Sequence, residues 1–440
     1  RERTLFRHMA VFSGSFSLEA AESVCEDADV LDGLEALVDN SLLQQMEVDT
    51  IRLGDSALPG EGLRFRMLST IRQYAAGQLN ASSDAASIRR RHAETLLRLA
   101  EQAEVGLHGA NQAIWLQRLE IELFNLRAAL RWCLDGSADD ILLGMRLAAA
   151  LGIFWYLYGY LSEAQRWLSE ALDKGRHAPD ALRARALYAL GSVTHAQGDL
   201  KQAPPLFEES LRLFQSANDQ HGIADALYAL GRLANRQQQF ELAKQLLHES
   251  LRLSDALGDD YRAAYSLNIL AGIATNAGEN EEARVLYEQA LTRARKVQNK
   301  SGIAFILTAF GELERLLGND ALAERYYNEA MQLARETAQK PRVVMLLHNL
   351  AQVALSRSET RRAAALFREC LTLGMELPDK ENFGMCLLGL GGVACQEGQP
   401  ERAARLFGAG EMVLESIGAR LAPADQAPYD RCSALVRSKL

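Results

Sequence analysis

Four absences bound what this 440-residue chain can be. No run of eighteen apolar residues occurs, so no segment has the pattern of a membrane-spanning helix, and no secretory signal pattern is present. The six cysteines, at 25, 133, 370, 386, 395 and 432, lack metal-ligand spacing. The histidines are dispersed, with His8, His195, His221, His248 and His348 forming no i, i+4 pair, so no metal site is expected. Neither a G-x-S-x-G nucleophile elbow nor a G-x-x-x-x-G-K-[ST] phosphate loop is found, and Ser13-Gly14-Ser15 is read as a joint between helices. Acyl transfer and autonomous nucleotide hydrolysis therefore have no sequence support, and no catalytic residue or bound cofactor is assigned. Basic residues are outnumbered, 48 to 57, giving a net charge of −9. That balance gives no general nucleic-acid footprint. Cys370, Cys386 and Cys395 fall at small-residue positions of a repeat, which suits buried reduced thiols and a cytoplasmic location.

What the chain does contain is a period. Leu190-Gly191 returns as Leu230-Gly231, Leu270-Ala271, Phe310-Gly311, Leu350-Ala351 and Leu390-Gly391, a step of 40 residues. Twelve residues after each small residue comes Ala203, Ala243, Ala283, Ala323, Ala363 or Ala403, and four later Phe207, Leu247, Tyr287, Tyr327, Phe367 or Phe407. An earlier copy runs through Gly152, Gly159, Ala164 and Leu168. Apolar steps of three and four predict two amphipathic helices per repeat, crossing at their small residues while the ring fills the space alongside. Gly198-Asp199 is expected to stop a first helix, whereas Gln238 and Ser358 replace that glycine in two repeats. Pro204, Pro205 and Pro400 fit first turns of second helices, and Pro341 and Pro378 are placed in connections. Such a period means a solenoid. The pattern resembles the tetratricopeptide repeat, in units six residues longer than the usual 34, with seven repeats over 145–423. Glu411 breaks the leucine position of the last, and Ala424–Leu440 permits one more helix as a cap.

The first 145 residues follow other rules. Three short helices are predicted over 2–12, 17–25 and 30–40, with Ser17 and Asp32 as N-terminal caps. Two strands, 41–46 and 63–67, flank a polar loop at 49–61 containing Pro59-Gly60; a helix over 70–79 and a Ser/Ala-rich link at 81–87 follow. This is a winged-helix arrangement over 1–80, ahead of a helical connector over 81–144. The fold class is thus mainly α: a tetratricopeptide-repeat superhelix, or α-solenoid, preceded by a small winged-helix domain. Arg89-Arg90-Arg91 is read as a solvated face. Trp115, Trp132, Trp155 and Trp167 are read as packing between connector and repeats.

The stretches LFRHMAVFSGSFSLEAAESVC, LEALVDNSLLQQ, RFRMLSTIRQYAAGQL and WLQRLEIELFNLRAALRWCLD sharpen this reading. They resemble the winged-helix and connector segments of bacterial STAND signalling ATPases of the AfsR, LuxR-like and maltose-regulator type. The resemblance implies a piece of a longer transcriptional regulator, a view that fits an opening on Arg1 in mid-pattern. ATP or ADP with Mg would belong to a nucleotide-binding domain outside this sequence. The nucleotide-sensing Met-His-Asp of related switches is here Met67-Leu68-Ser69, so that role is not carried over.

In the repeat family, first helices line the inner surface. Carrying those positions across gives Tyr156, Tyr188, Ser192, His195, Tyr228, Arg232, Asn235 and Arg236, then Asn268, Asn276, Thr308, Glu312, Arg315, His348, Asn349 and Gln352. Aromatic faces supply area and amides supply direction, which suits an effector peptide, protein or small molecule. The expected function is a sensor or protein-interaction arm that controls the nucleotide-binding domain of its own chain, with no membrane or direct nucleic-acid partner. A constitutive assembly scaffold is the alternative. An independent winged-helix DNA reader is disfavoured by the acidic third helix (Asp32, Glu35, Asp39).

Overall fold

The computed structural model describes residues 2–25, 29–47, 63–337, 339–375, 380–421 and 423–440. The expected loop at 49–61 and Pro378 lie outside the described residues. Two compact bodies result, Arg1–Leu253 and Ser254–Leu440.

In the first body, α1 (Glu2–Met9), β1 (Phe16–Ser17), α2 (Leu18–Cys25), α3 (Val30–Asp39), β2 (Gln44–Glu47), β3 (Leu63–Arg66) and α4 (Ser69–Asn80) pack together. The strands form an antiparallel sheet in the order β1-β3-β2, with Phe16 opposite Phe65 and Gln45 also in register with Phe65. Met9, Phe12, Phe16, Leu34 and Phe65 are buried in its core. Three expectations change. The first helix stops at Met9, short of residue 12. Ser17 pairs in β1 as well as capping α2, its hydroxyl accepting from the Ala20 amide at 3.2 Å. Asp32 lies inside the first turn of α3, and Asp29 holds the position before it.

The link after α4 is only 81–84, because α5 (Ala85–Gly106) starts earlier than expected. Asp84 there accepts from Arg7 and His8, each at 2.8 Å, tying α1 to the start of α5. Next come α6 (Gln112–Ile121), α7 (Leu123–Leu134), α8 (Ala138–Ala150), α9 (Gly152–Tyr158) and α10 (Leu161–Lys174). Ser137 and Asp140 form a capping box at the start of α8. The four tryptophans pack in or against one core across these helices: Trp155 and Trp167 are buried, while Trp115 and Trp132 flank it.

The repeats then run as helix pairs. First helices are α11 (Asp180–Ala196) and α13 (Gln220–Arg236), paired with α12 (Ala203–Ser216) and α14 (Phe240–Leu257). In the second body, α15 (Asp260–Ala277) pairs with α16 (Asn280–Lys296) and α17 (Lys300–Leu316) with α18 (Asp320–Glu336). The pairs α19 (Lys340–Ser356) with α20 (Thr360–Gly374) and α21 (Lys380–Gln396) with α22 (Pro400–Ser416) follow, and α23 (Pro423–Lys439) comes last. Pro341 is therefore not in a connection; it occupies the first turn of α19, where its missing N–H costs nothing.

Chemistry recurs with the period. A Cβ on Gly191, Gly231, Gly311 or Gly391 would come within 2.9, 2.7, 2.5 or 2.5 Å of Phe207, Leu247, Tyr327 or Phe407. The small residue is thus a hole filled by its partner, and burying each such side chain contributes about 1.5–3 kcal/mol. Side chains at one position of the second helix reach back to the first: Ser210 to the Ala184 carbonyl at 2.8 Å, Ser250 to Ala224 at 2.8 Å, and the Cys370 thiol to Val344 at 3.3 Å. Asp219, Asp259 and Asn299 cap successive first helices through the amides of Gly222, Arg262 and Gly302. Between paired helices the backbone turns left-handed. Gly198, Gly278, Gly318 and Gly398 adopt this conformation, and Gln238 (φ 62°) and Ser358 (φ 60°) keep it without glycine.

Candidate functional site

In the first body, helical spacing gathers the candidates. Tyr228, Arg232, Asn235 and Arg236 share one face of α13, and Tyr188, Ser192 and His195 one face of α11. Tyr156 is exposed on α9, Ser192 is half-buried, and Tyr228 and His195 are buried. The Arg232 guanidinium lies 5.7 Å from the Tyr228 ring centroid, and Tyr188 meets Phe207 at 5.7 Å. Burial works against the Arg232 charge, but Tyr228, Tyr156 and Tyr188 outweigh it and hold the proton more firmly than usual. Burial, aided by the charges of Arg232 and Arg236, lowers His195 to about 4, so its imidazole is neutral at pH 7. Arg232 Nε, Asn235 Oδ1 and both His195 nitrogens are buried with no hydrogen-bond partner among the described residues. None of these eight positions carries a carboxylate. Cations and phenols around unmatched polar atoms suit an anionic or acceptor-rich ligand.

The candidates of the second body are arranged differently. Asn268 is buried in α15 with Oδ1 unpartnered, whereas Asn276 is exposed near the end of that helix. Thr308 is a correction: its hydroxyl donates to the Ala304 carbonyl at 2.6 Å and is spent within its own helix. Asn349 donates to Glu312 at 3.3 Å, and Gln352 lies 3.4 Å from His348 Nε2. Burial raises the Glu312 carboxyl above its usual range against the pull of Arg315 and Asn349. Arg315 is already engaged, its Nη1 donating to Asp425 at 2.7 Å, and His348 Nε2 lies 3.6 Å from the same carboxylate. Burial would raise the Asp425 carboxyl, but the His348 hydrogen bond and the Arg315 charge hold it well below the usual range.

Sequence reasoning missed Asp425, which stands outside the 40-residue period and 110 residues from Arg315. It also missed a grip on the Ser13-Gly14-Ser15 joint. Asn125 Oδ1 accepts from the Ser13 and Gly14 amides at 2.9 and 3.0 Å, and its Nδ2 donates to the Ser15 carbonyl at 2.9 Å. Arg64 donates to the Ser15 hydroxyl and carbonyl and to the buried Glu122. The joint is therefore clamped to α7. The Arg89–Arg91 run is partly engaged, with Arg89 on Asn80 and Arg90 on Glu94 and Asp140. All six cysteines are free thiols. Among the described residues no His, Cys, Asp and Glu group could hold a metal, and no single helix is long and apolar enough to cross a membrane.

Family models for the tetratricopeptide repeat match residues 302–376 and 263–297. Those two stretches are tetratricopeptide repeats, and the other 40-residue helix pairs share their helix-pair form. A STAND (Signal Transduction ATPase with Numerous Domains) protein of Pyrococcus horikoshii, with a tetratricopeptide repeat sensor, shares the fold: TM-score 0.54 at 13% identity, over 93% of this chain and 62% of that one. A Rap protein solved with Competence and Sporulation Factor superposes with TM-score 0.52 at 15% identity, over 79% of this chain and 98% of that one. In sequence, a protein of Mycobacterium tuberculosis (strain ATCC 25618 / H37Rv) named as an HTH-type transcriptional regulator is 32% identical over 196 residues. A Mycobacterium bovis counterpart matches equally. The match takes in 42% of this chain, and the chain spans 20% of the length of these relatives.

Proposed function

We propose that this tetratricopeptide array is the effector-sensing arm of a STAND-type bacterial transcriptional regulator. The observation that carries the proposal is the cluster on α9, α11 and α13, where Arg232, Arg236, neutral His195 and three tyrosines surround buried polar atoms without partners among the described residues. An effector peptide, protein or small molecule with anionic or acceptor groups would complete those hydrogen bonds. The clamp of Asn125, Arg64 and Glu122 then links the connector to the N-terminal helices and sheet. Those helices, read as a winged helix, would relay the change to a nucleotide-binding domain of the same chain, where ATP or ADP and Mg belong. The arm itself does no chemistry in this reading and works in the cytoplasm. Similarity to an HTH-type regulator and to a STAND sensor fold supports this assignment.

The decisive experiment is the ATPase rate of the parent regulator, with and without candidate effectors, in the wild type and in Arg232→Gln. An effector-dependent rate that Arg232→Gln abolishes is expected. Effector binding with no change in rate points instead to a constitutive scaffold, and salt-dependent duplex binding by the arm would revive the DNA reader.

A further inference from the structure

We propose that Arg315 and His348 form a receiving site for an acidic side chain presented at the first turn of a helix, which α23 fills as an internal ligand and a partner helix of the same chemistry displaces. The displacement rests on the effector-arm reading above; the internal docking does not.

Three observations carry this. First, the site is built. The side chains of Arg315, His348 and Asp425 are 7%, 7% and 5% exposed, so the ion pair is desolvated and its geometry matters. Arg315 Nε and His348 Nδ1 remain buried without a partner among the described residues.

Second, Arg315 reads two acceptors. Besides the carboxylate, its Nη1 lies 3.3 Å from the Ala424 carbonyl. Pro428 lies inside α23. Lacking an N–H, it cannot bond the carbonyl four residues back, and that carbonyl is Ala424. The proline thus frees the acceptor that Arg315 takes. Asp425 and Pro428 together make an Asp-x-x-Pro signature, read as carboxylate plus liberated carbonyl.

Third, α23 is held more like a ligand than like a repeat helix. Among the described side chains of α23 only Asp425, Ser433 and Val436 are buried, whereas α18 buries Ala323, Tyr327, Ala330, Met331 and Ala334. Its other ties include the Tyr429 ring, edge-on to Phe407 at 5.2 Å, the Tyr429 hydroxyl on Glu411, and the Cys395 thiol donating to the Cys432 carbonyl at 3.7 Å. A cavity of about 400 Å³ remains beside it, lined by Arg315, Gln352, Leu388, Asp425 and Tyr429 among others. The last repeat's departure at Glu411 is explained by this contact.

The test uses the full chain and a labelled synthetic peptide of residues 421–440 as probe. In Asp425→Asn, the α23 amides should exchange at least about tenfold faster than in wild type, and the variant should bind the peptide at least about tenfold more tightly. Peptides carrying Asp425→Asn or Pro428→Ala should bind that variant more weakly by a similar factor, about tenfold for the first and severalfold for the second. Asp425→Glu serves as the conservative control, and an unchanged tryptophan signal reports an intact first body. Equal α23 protection in wild type and Asp425→Asn, or equal binding of the three peptides, overturns the proposal. If peptide exchange behaves as expected but Arg232→Gln leaves the effector response intact, the receiving site stands and the reading of the α11–α13 cluster fails. The opposite pattern reverses those conclusions.

Discussion

The cluster around Arg232 and the cluster around Arg315 each set a guanidinium and an imidazole on first helices, yet only the second is met by a carboxylate from outside the repeat. In the first body, guanidinium, imidazole and amide have buried polar atoms with no partner among the described residues. In the second, Asp425 lies against Arg315 and His348. First helices therefore supply the recognition groups in both bodies, and a segment outside the repeat engages one set of them.

Truncating the two arginines probes this contrast most directly. Arg315→Met strands Asp425 in a buried setting and should cost about 3–5 kcal/mol. Arg232→Met removes a cation over a ring and strands no carboxylate, so it should cost less than about 2 kcal/mol. Urea titrations followed by hydrogen exchange on α17 and α13 separate the two, and equal losses would erase the distinction. Acid comes next. Burial lowers His92 to about 3 and His195 to about 4, below an unfolded value near 6.5. Below pH 6.5 the unfolded chain takes up protons that the folded first body refuses, so stability is full above 6.5 and falls as pH drops. The loss should reach about 3 kcal/mol for each of the two imidazoles by pH 4, with His92→Phe flattening the slope. The depressed Asp425 carboxyl behaves in the other window: its contribution is present above the unfolded carboxylate value near 3.9 and fades only below it. Protection factors, corrected for the intrinsic slowing of exchange in acid, should therefore fall in α5 and α11 from pH 7 to 4 while the α17–α23 contact holds.

Packing, by contrast, should treat the bodies alike. Gly231→Ala and Gly311→Ala each push a methyl into the partner side chain and should cost about 1–3 kcal/mol in thermal melts. A loss confined to one body would show that the other relaxes around the methyl. The smallest effect is a gain: Gln238→Gly and Ser358→Gly relieve left-handed strain and should each stabilise by about 1 kcal/mol. A loss in either would mean its side chain contributes more than its backbone costs.

The paired helices were legible in the sequence because hole and ring repeat in phase, and the face of α13 because 228, 232, 235 and 236 keep helical spacing. Other features were hidden for identifiable reasons. A two-residue strand such as β1 leaves no periodicity, and its partner Phe65 is 49 residues away. Gln238 and Ser358 look like lost turns, because sequence shows the missing glycine and not the retained φ. Thr308 occupies a groove position, but whether a hydroxyl faces outward or bonds its own helix is a rotamer choice. Asp425 was hidden by distance along the chain: one acid among many acquires meaning only when α23 brings it to Arg315.

The hole-and-ring contact also sets what can be inherited as a piece. Gly311 lies on α17 and Tyr327 on α18, so a recombination joint between paired helices would oppose a ring to a residue not cut for it. A joint between α16 and α17 keeps both halves in one copied frame. Phe214 and Phe367 make exceptions, since they fill the space beside Gly222 on α13 and Gly389 on α21, so the helices from α11 to α14 and from α19 to α22 travel as double cassettes. Lengthening or shortening this array by gene duplication is therefore quantised, in steps of one frame between those cassettes and two across each of them.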